Sequence, residues 1–166
     1  MENQLSSRDY IIESFFILLK EKKYENISIQ EICNKAGVSR VTFYRNFKDK
    51  LEIIHGYFQS MIRQFVKDMG AVNTNYRDVA YHCFTFLKKE KEKVNSLIDN
   101  NLEYLYLDLL NNSLTKNFIN DNMGNEMLAN IYSGAIYNLS IWWVKNDCKE
   151  DINKLVDTFF KICNFD

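Results

Sequence analysis

The sequence predicts an all-α protein, and three observations carry that reading. None of the 166 residues is proline and only five are glycine, which argues against a turn-rich β architecture. Apolar residues recur at helical spacing along most of the chain. Short capping runs, a small polar residue followed three places later by an acid, stand just ahead of two of those stripes. An aromatic content of 14% and an apolar content of 46% suit a packed core.

The first helix is expected around Tyr10 to Leu19, where Ile11, Phe15, Leu18 and Leu19 form one stripe. Glu13 within this run, its shortness and the lack of a small-residue cleavage site argue against a membrane span or an export signal.

Ser28-Ile-Gln-Glu31 reads as a capping box opening a second helix, with Ile29, Ile32, Cys33 and Ala36 on its buried face. Gly37 stands where a left-handed C-cap is cheapest. Ser39 then caps a third helix, roughly Arg40 to Phe47, so the pair makes a helix-turn-helix. On a wheel of about 100° per residue, Phe43 and Phe47 fall together and mark the inner face. The outer face carries Val41, Thr42, Arg45 and Asn46, flanked by Arg40 and Tyr44. No acid stands between Glu31 and Asp49 to repel phosphate. An arginine, a carboxamide and a β-branched methyl on one helix face are the groups that read base edges in a major groove. Residues 1–50 hold nine Lys/Arg against seven Asp/Glu, a basic excess that the rest of the chain lacks.

Asp49 and Glu52 repeat the capping pattern ahead of a long helix with Ile54, Tyr57, Phe58, Met61, Phe65 and Met69 on its apolar side. A cation at position 50 opposes that helix's dipole. A DNA phosphate held by Lys50, Tyr44 and the start of the Ser28 helix would explain it.

The run SIQEICNKAGVSRVTFYRNFKDKLEII resembles the N-terminal DNA-binding domain of the TetR/AcrR family of bacterial transcription regulators. Ala36, Gly37, Val38, Ser39, Thr42, Tyr44, Phe47 and Lys50 match the family pattern in register, and Phe43 takes its aliphatic slot. The resemblance implies a three-helix head, residues 1–48, and a helical ligand-binding and dimerisation part, residues 49–166. It assigns Thr42, Tyr44 and Lys50 to phosphate or sugar contacts, and makes Gln30, Arg40, Val41, Arg45 and Asn46 available to bases. Ser28 and Ser39, at the starts of the two helices, belong to the same DNA-binding set. Arg40 replaces a residue that is often small in the family, which bears on the operator sequence and not on the fold.

Beyond residue 69 the polar stretch Asn73 to Tyr76 is expected to break the long helix. A helix through Ala80, Phe84 and Leu87 should then end near the charged run Lys88 to Lys93, read as a solvated end. One further helical region is expected from Leu97 to Asn117, with Leu102, Leu105, Leu109 and Leu110 apolar, then a loop from Asn120 to Asn125. In the last two helices, Ile131, Ala135 and Leu139, and Leu155, Phe159 and Phe160, lie on apolar faces wider than one core contact needs. They are candidates for a four-helix homodimer interface. The segment around SGAIYNLSIWWVKN is also similar to the end of the family's C-terminal domain. Tyr57, Phe58, His82, Phe86, Tyr104, Tyr106, Tyr137 and Trp142 are candidates to line an effector pocket, with an ordinary aromatic core as the alternative.

Cys33, Cys83, Cys148 and Cys163 show neither disulfide nor zinc spacing, which suits reduced thiols in a cytoplasm. Neither nucleophile-elbow, zincin, Walker nor dinucleotide-binding patterns occur, and His55 and His82 have no carboxylate at motif spacing. The expectation is a non-enzymatic regulator without cofactor or metal: a homodimeric repressor released from a palindromic operator by a small molecule. The alternatives are an activator, a regulator under a protein partner's control, and a helical protein-interaction module.

Overall fold

The computed structural model describes residues 6–69, 76–120 and 126–163. Among them the chain is helical and without strands. The elements are α1 (Ser7–Glu21), a single 3₁₀ turn (Tyr24–Asn26), α2 (Ile29–Ala36), α3 (Arg40–Asn46), α4 (Lys50–Met69) and α5 (Tyr76–Lys89). They are followed by α6 (Lys91–Ile98), α7 (Tyr104–Asn120), α8 (Glu126–Lys145) and α9 (Ile152–Cys163). Of the expected breaks at Asn73 to Tyr76 and Asn120 to Asn125, residues 73–75 and 121–125 fall outside the described residues, as do the side chains of Phe65 and Met69, while Tyr76 already opens α5 and Asn120 still belongs to α7.

α1 is the spine of the N-terminal part. Ile11, Phe15, Leu18 and Leu19 are buried as their spacing predicts, and Ser6 with Asp9 adds a capping box ahead of them. α1 packs on α2, α3, α4 and α6, so one helix touches both halves of the molecule. α2 opens with the expected box: Ser28 Oγ accepts from the Glu31 amide at 3.2 Å, and Glu31 accepts from the Ser28 amide at 2.9 Å. Gly37 ends the helix at φ 66°, and Val38 N–H closes on Cys33 O at 3.0 Å. No atom stands within 4 Å of a Cβ at Gly37, so the left-handed backbone alone selects glycine there.

Hydrogen bonds from Lys22 and from the Ser28 backbone hold the Glu31 carboxyl down from its ordinary 4.5 to about 2. A depressed folded-state value contributes stability that is complete above 4.5 and lost as pH falls through about 2. Glu31→Gln should therefore unfold more easily than the wild type at neutral pH, with the difference closing across that acid window. Parallel acid titrations followed by circular dichroism test this; a constant gap down to the bottom of the window would refute it.

Two expectations for the second half need correction. The region Leu97 to Asn117 is two helices, because Asn101 takes φ 55° and turns the chain between α6 and α7. α5 ends at Lys89 as expected and Lys88, Lys89 and Glu92 are exposed, but the run also carries a junction at Lys93. Lys93 Nζ bridges Glu13 at 2.6 Å and Glu90 at 3.0 Å, beneath the rings of Phe16 and Tyr57. Burial would lower the Lys93 pKa, but the two carboxylates raise it overall. α7 and α8 form the most extensive helix pair, and α9 closes the bundle against α5 and α8. Trp143 is fully buried edge-on to Phe84, and its indole N–H donates to Glu150 O at 3.0 Å.

Candidate nucleic-acid interface

α3 sits on the N-terminal part through Phe43 and Phe47, both buried, and turns its other side outward. Val41 is 71% exposed and Tyr44 50% exposed, with Arg40 and Arg45 exposed beside them. Ser39 Oγ accepts from the Thr42 amide at 3.1 Å and meets the Thr42 hydroxyl at 3.0 Å, fixing the first turn. At the other end, Asn46 Nδ2 donates to Thr42 O at 2.8 Å, which leaves its carboxamide oxygen able to accept. Arg40 lies beside the Tyr44 ring, whose hydroxyl raises the arginine pKa further. Gln30, exposed on α2, pairs with Asn34 at 2.8 Å.

Lys50 is placed differently from the expectation. Its ammonium donates to Tyr24 O and Ile27 O, each at 2.7 Å, and lies 4.2 Å from the centre of the Tyr24 ring. Burial lowers its pKa. The cation therefore staples α4 to the turn before α2, with one of its three N–H groups left over. The start of α2 is likewise already partnered, since the Glu31 carboxylate takes the Ser28 amide and hydroxyl. That carboxylate is itself paired with Lys22.

Arg8 and Gly56 are contributors that sequence reasoning missed. Arg8 Nη1 donates to Asn46 O at 3.0 Å, and its guanidinium stands 4.4 Å from the centre of the Phe47 ring. A Cβ at Gly56 would come within 2.6 Å of Arg8 Nη2 and 2.7 Å of Phe47 Cε1. Alanine gains about 1 kcal/mol over glycine in a helix interior, but overpacking costs about 1–3 kcal/mol. Gly56→Ala should thus lower the urea midpoint; a raised midpoint would show that the ring and guanidinium move aside freely.

The candidate pocket residues come together only in part. Tyr57, Phe58, Tyr106 and Tyr137 form a continuous aromatic run, with ring centres 5.3, 5.8 and 6.3 Å apart. Burial raises the pKa of Tyr57 and of Tyr106. Tyr57 and Phe86 also line an open groove of about 380 Å³ between α1, α4, α5 and α6. His82, Tyr104 and Trp142 are exposed elsewhere, because each lies on the outward side of its helix.

The expected dimer face divides too. Ile131 is 55% exposed, with Ala135 and Leu139 half-buried along α8. Leu155, Phe159 and Phe160 are buried inside the protomer, where α9 packs on α5 and α8, so they are core residues. Leu139, Trp142 and Leu155 border a hollow of about 290 Å³ on this side. None of the described helices is long and apolar enough to cross a membrane.

Residues 11–60 match the family described as bacterial regulatory proteins, tetR family, and residues 74–165 match a transcriptional regulator C-terminal region. Among curated relatives, the chain is 30% identical over 144 residues to botulinum neurotoxin type F of Clostridium botulinum. That match covers 79% of this chain but 11% of the toxin. The Tn10 TetC protein of Escherichia coli is 34% identical over 61 residues, 37% of this chain and 31% of that protein. The chain thus spans well under half of either relative. A TetR transcriptional regulator from Streptococcus agalactiae superposes with a TM-score of 0.68 at 15% identity, over 95% of this chain and 93% of that one. The transcriptional regulator FadR from Bacillus subtilis, solved with stearoyl-CoA, superposes at 0.58 and 20% identity, over 93% and 96%. At these identities the superpositions establish the fold, while the two family matches together take in most of the chain, with the outward face of α3 inside the first. The chain belongs to the tetR family of bacterial regulatory proteins.

Proposed function

We propose that the protein is a cytoplasmic homodimeric repressor that leaves a palindromic operator when a small molecule binds its C-terminal part. In this reading residues 1–48 form the DNA-binding head and residues 49–166 the regulatory and dimerisation body. Arg40, Val41, Arg45, Asn46 and Gln30 address base edges, while Thr42, Tyr44, Ser39 and Ser28 sit toward the backbone phosphates. Lys50 contributes its remaining N–H to a phosphate and otherwise holds the head together. The observation that carries the reading is the outward face of α3, cationic and apolar by turns, on a helix whose other face is locked into the core.

One recognition helix covers few base pairs, and two copies about 34–36 Å apart read successive half-sites. The exposed α8 residues Met127, Ile131 and Trp142, with the half-buried Leu139 on the same helix, favour self-pairing through that helix. Effector control is favoured by the open groove at Tyr57 and Phe86, which lies where α1 of the head meets α5 and α6 of the body. FadR offers a parallel in its bound stearoyl-CoA.

Selection of bound duplexes from a random DNA pool, followed by a salt titration on the winner, tests the proposal. A palindromic site with affinity falling steeply in salt supports dimeric groove reading. If no sequence is enriched, with or without cell extract, the α3 face binds something other than DNA.

A further inference from the structure

We propose that Arg8 is a positioning residue for DNA readout, holding the last turn of α3 at the angle from which Arg45 and Asn46 meet base edges. This rests on the DNA reading above.

α3 has seven residues, too few to be stable by itself, so its direction is set by Phe43 and Phe47 in the core together with whatever holds its two ends. Ser39 holds the first turn through the Thr42 amide. The last turn is held by Arg8, 38 residues earlier in the chain. Its guanidinium donates to the Asn46 carbonyl, one of the terminal acceptors without an intrahelical donor, and its positive charge complements the helix's negative end. The same planar group covers the ring of Phe47, the residue that closes the helix. Its far side fills the space that Gly56 leaves on α4. Three helices thus meet at one cation, and its Nε is buried there as well, so the group faces protein. Arg45 and Asn46 lie in the turn that Arg8 fixes, whereas Arg40 and Val41 lie in the turn that Ser39 fixes.

That division makes the effect local. Without Arg8 the last turn frays, and discrimination is lost at the base pairs addressed by Arg45 and Asn46 but kept at those addressed by Arg40 and Val41. Lysine in its place keeps one donor for Asn46 O yet cannot lie flat on Phe47.

The test uses the full chain and its selected duplex, with every single-base-pair variant of that duplex. Wild type, Arg8→Ala and Arg8→Lys are compared at equal folded fraction, established by urea unfolding. Arg8→Ala should lose about tenfold or more in discrimination at the positions where Arg45→Ala also loses it. The salt slope should stay unchanged, and Arg8→Lys should recover part of the loss. If Arg8→Ala does not fold, the intermediate discrimination of Arg8→Lys carries the same comparison. Uniform weakening with the slope reduced by about 0.9 per lost phosphate contact would make Arg8 a phosphate ligand and overturn the proposal. Reduced stability with discrimination intact would overturn it as well. A wild type that enriches no duplex removes the DNA reading and this proposal together, whereas an enriched site with unaffected Arg8 variants removes this proposal alone.

Discussion

Arg45→Ala should lower affinity for the selected operator by about 1–3 kcal/mol per half-site and relax the base preference there. Across the two half-sites of the proposed dimer this is about 30-fold to about 10⁴-fold. The side chain is exposed on α3 and has no role in the core, so the folded protein should be unaltered. Lys50→Ala makes the contrast. Its ammonium ties Tyr24 O and Ile27 O to α4, and each charge-assisted hydrogen bond contributes about 1.5–3 kcal/mol. Its removal should weaken binding to all sequences alike and also lower the urea midpoint. Titrations of both variants on matched and scrambled duplexes separate the two behaviours. Unchanged binding by Arg45→Ala on the matched site would remove α3 from the groove.

Phe160→Glu should abolish cooperative folding of the C-terminal half. Phe160 is 7% exposed, edge-on to Phe159, with the Arg77 guanidinium over its ring. Arg77 is already paired with Asp157, so an introduced carboxylate competes for an occupied partner. An ill-compensated buried charge costs several kcal/mol, a large share of the about 5–15 kcal/mol that stabilises a typical domain. Ile131→Glu, on the exposed side of α8, should instead leave thermal unfolding unaltered while shifting sedimentation toward monomer. A folded, monomeric Phe160→Glu would mean that α9 packs outward after all.

The contrast between these two residues shows where the sequence was legible. Caps and stripes are local: Ser28 with Glu31, Gly37, Ser39, and Phe43 with Phe47 are settled within a few residues, and each lies where its pattern placed it. A helical wheel identifies an apolar face but not its neighbour. The stripe of Leu155, Phe159 and Phe160 therefore read as interface, whereas α5 and α8 pack around it inside the protomer. Long-range polar partners were hidden for the same reason. Lys93 sits in a run of alternating charge and looks solvated, yet its partner Glu13 lies 80 residues away. Arg8 drew no reading from the sequence, because its partners Asn46 and Gly56 lie 38 and more residues further along the chain. The α6–α7 corner lacks glycine and proline, and an asparagine supplies its left-handed residue, so the usual breaker signal was missing.

That corner also bears on how the two halves of the molecule are joined. Asn100, next to the left-handed Asn101, accepts the Tyr24 amide at 2.8 Å and donates to Ser96 O at 2.8 Å. The Tyr24 N–H is therefore shielded from water by a side chain of the other half and not by its own helix. Amide exchange proceeds only when a hydrogen bond opens. The rate at which this one proton is replaced by deuterium consequently measures how often the corner lifts away from the head, giving a clock for their separation within the native chain.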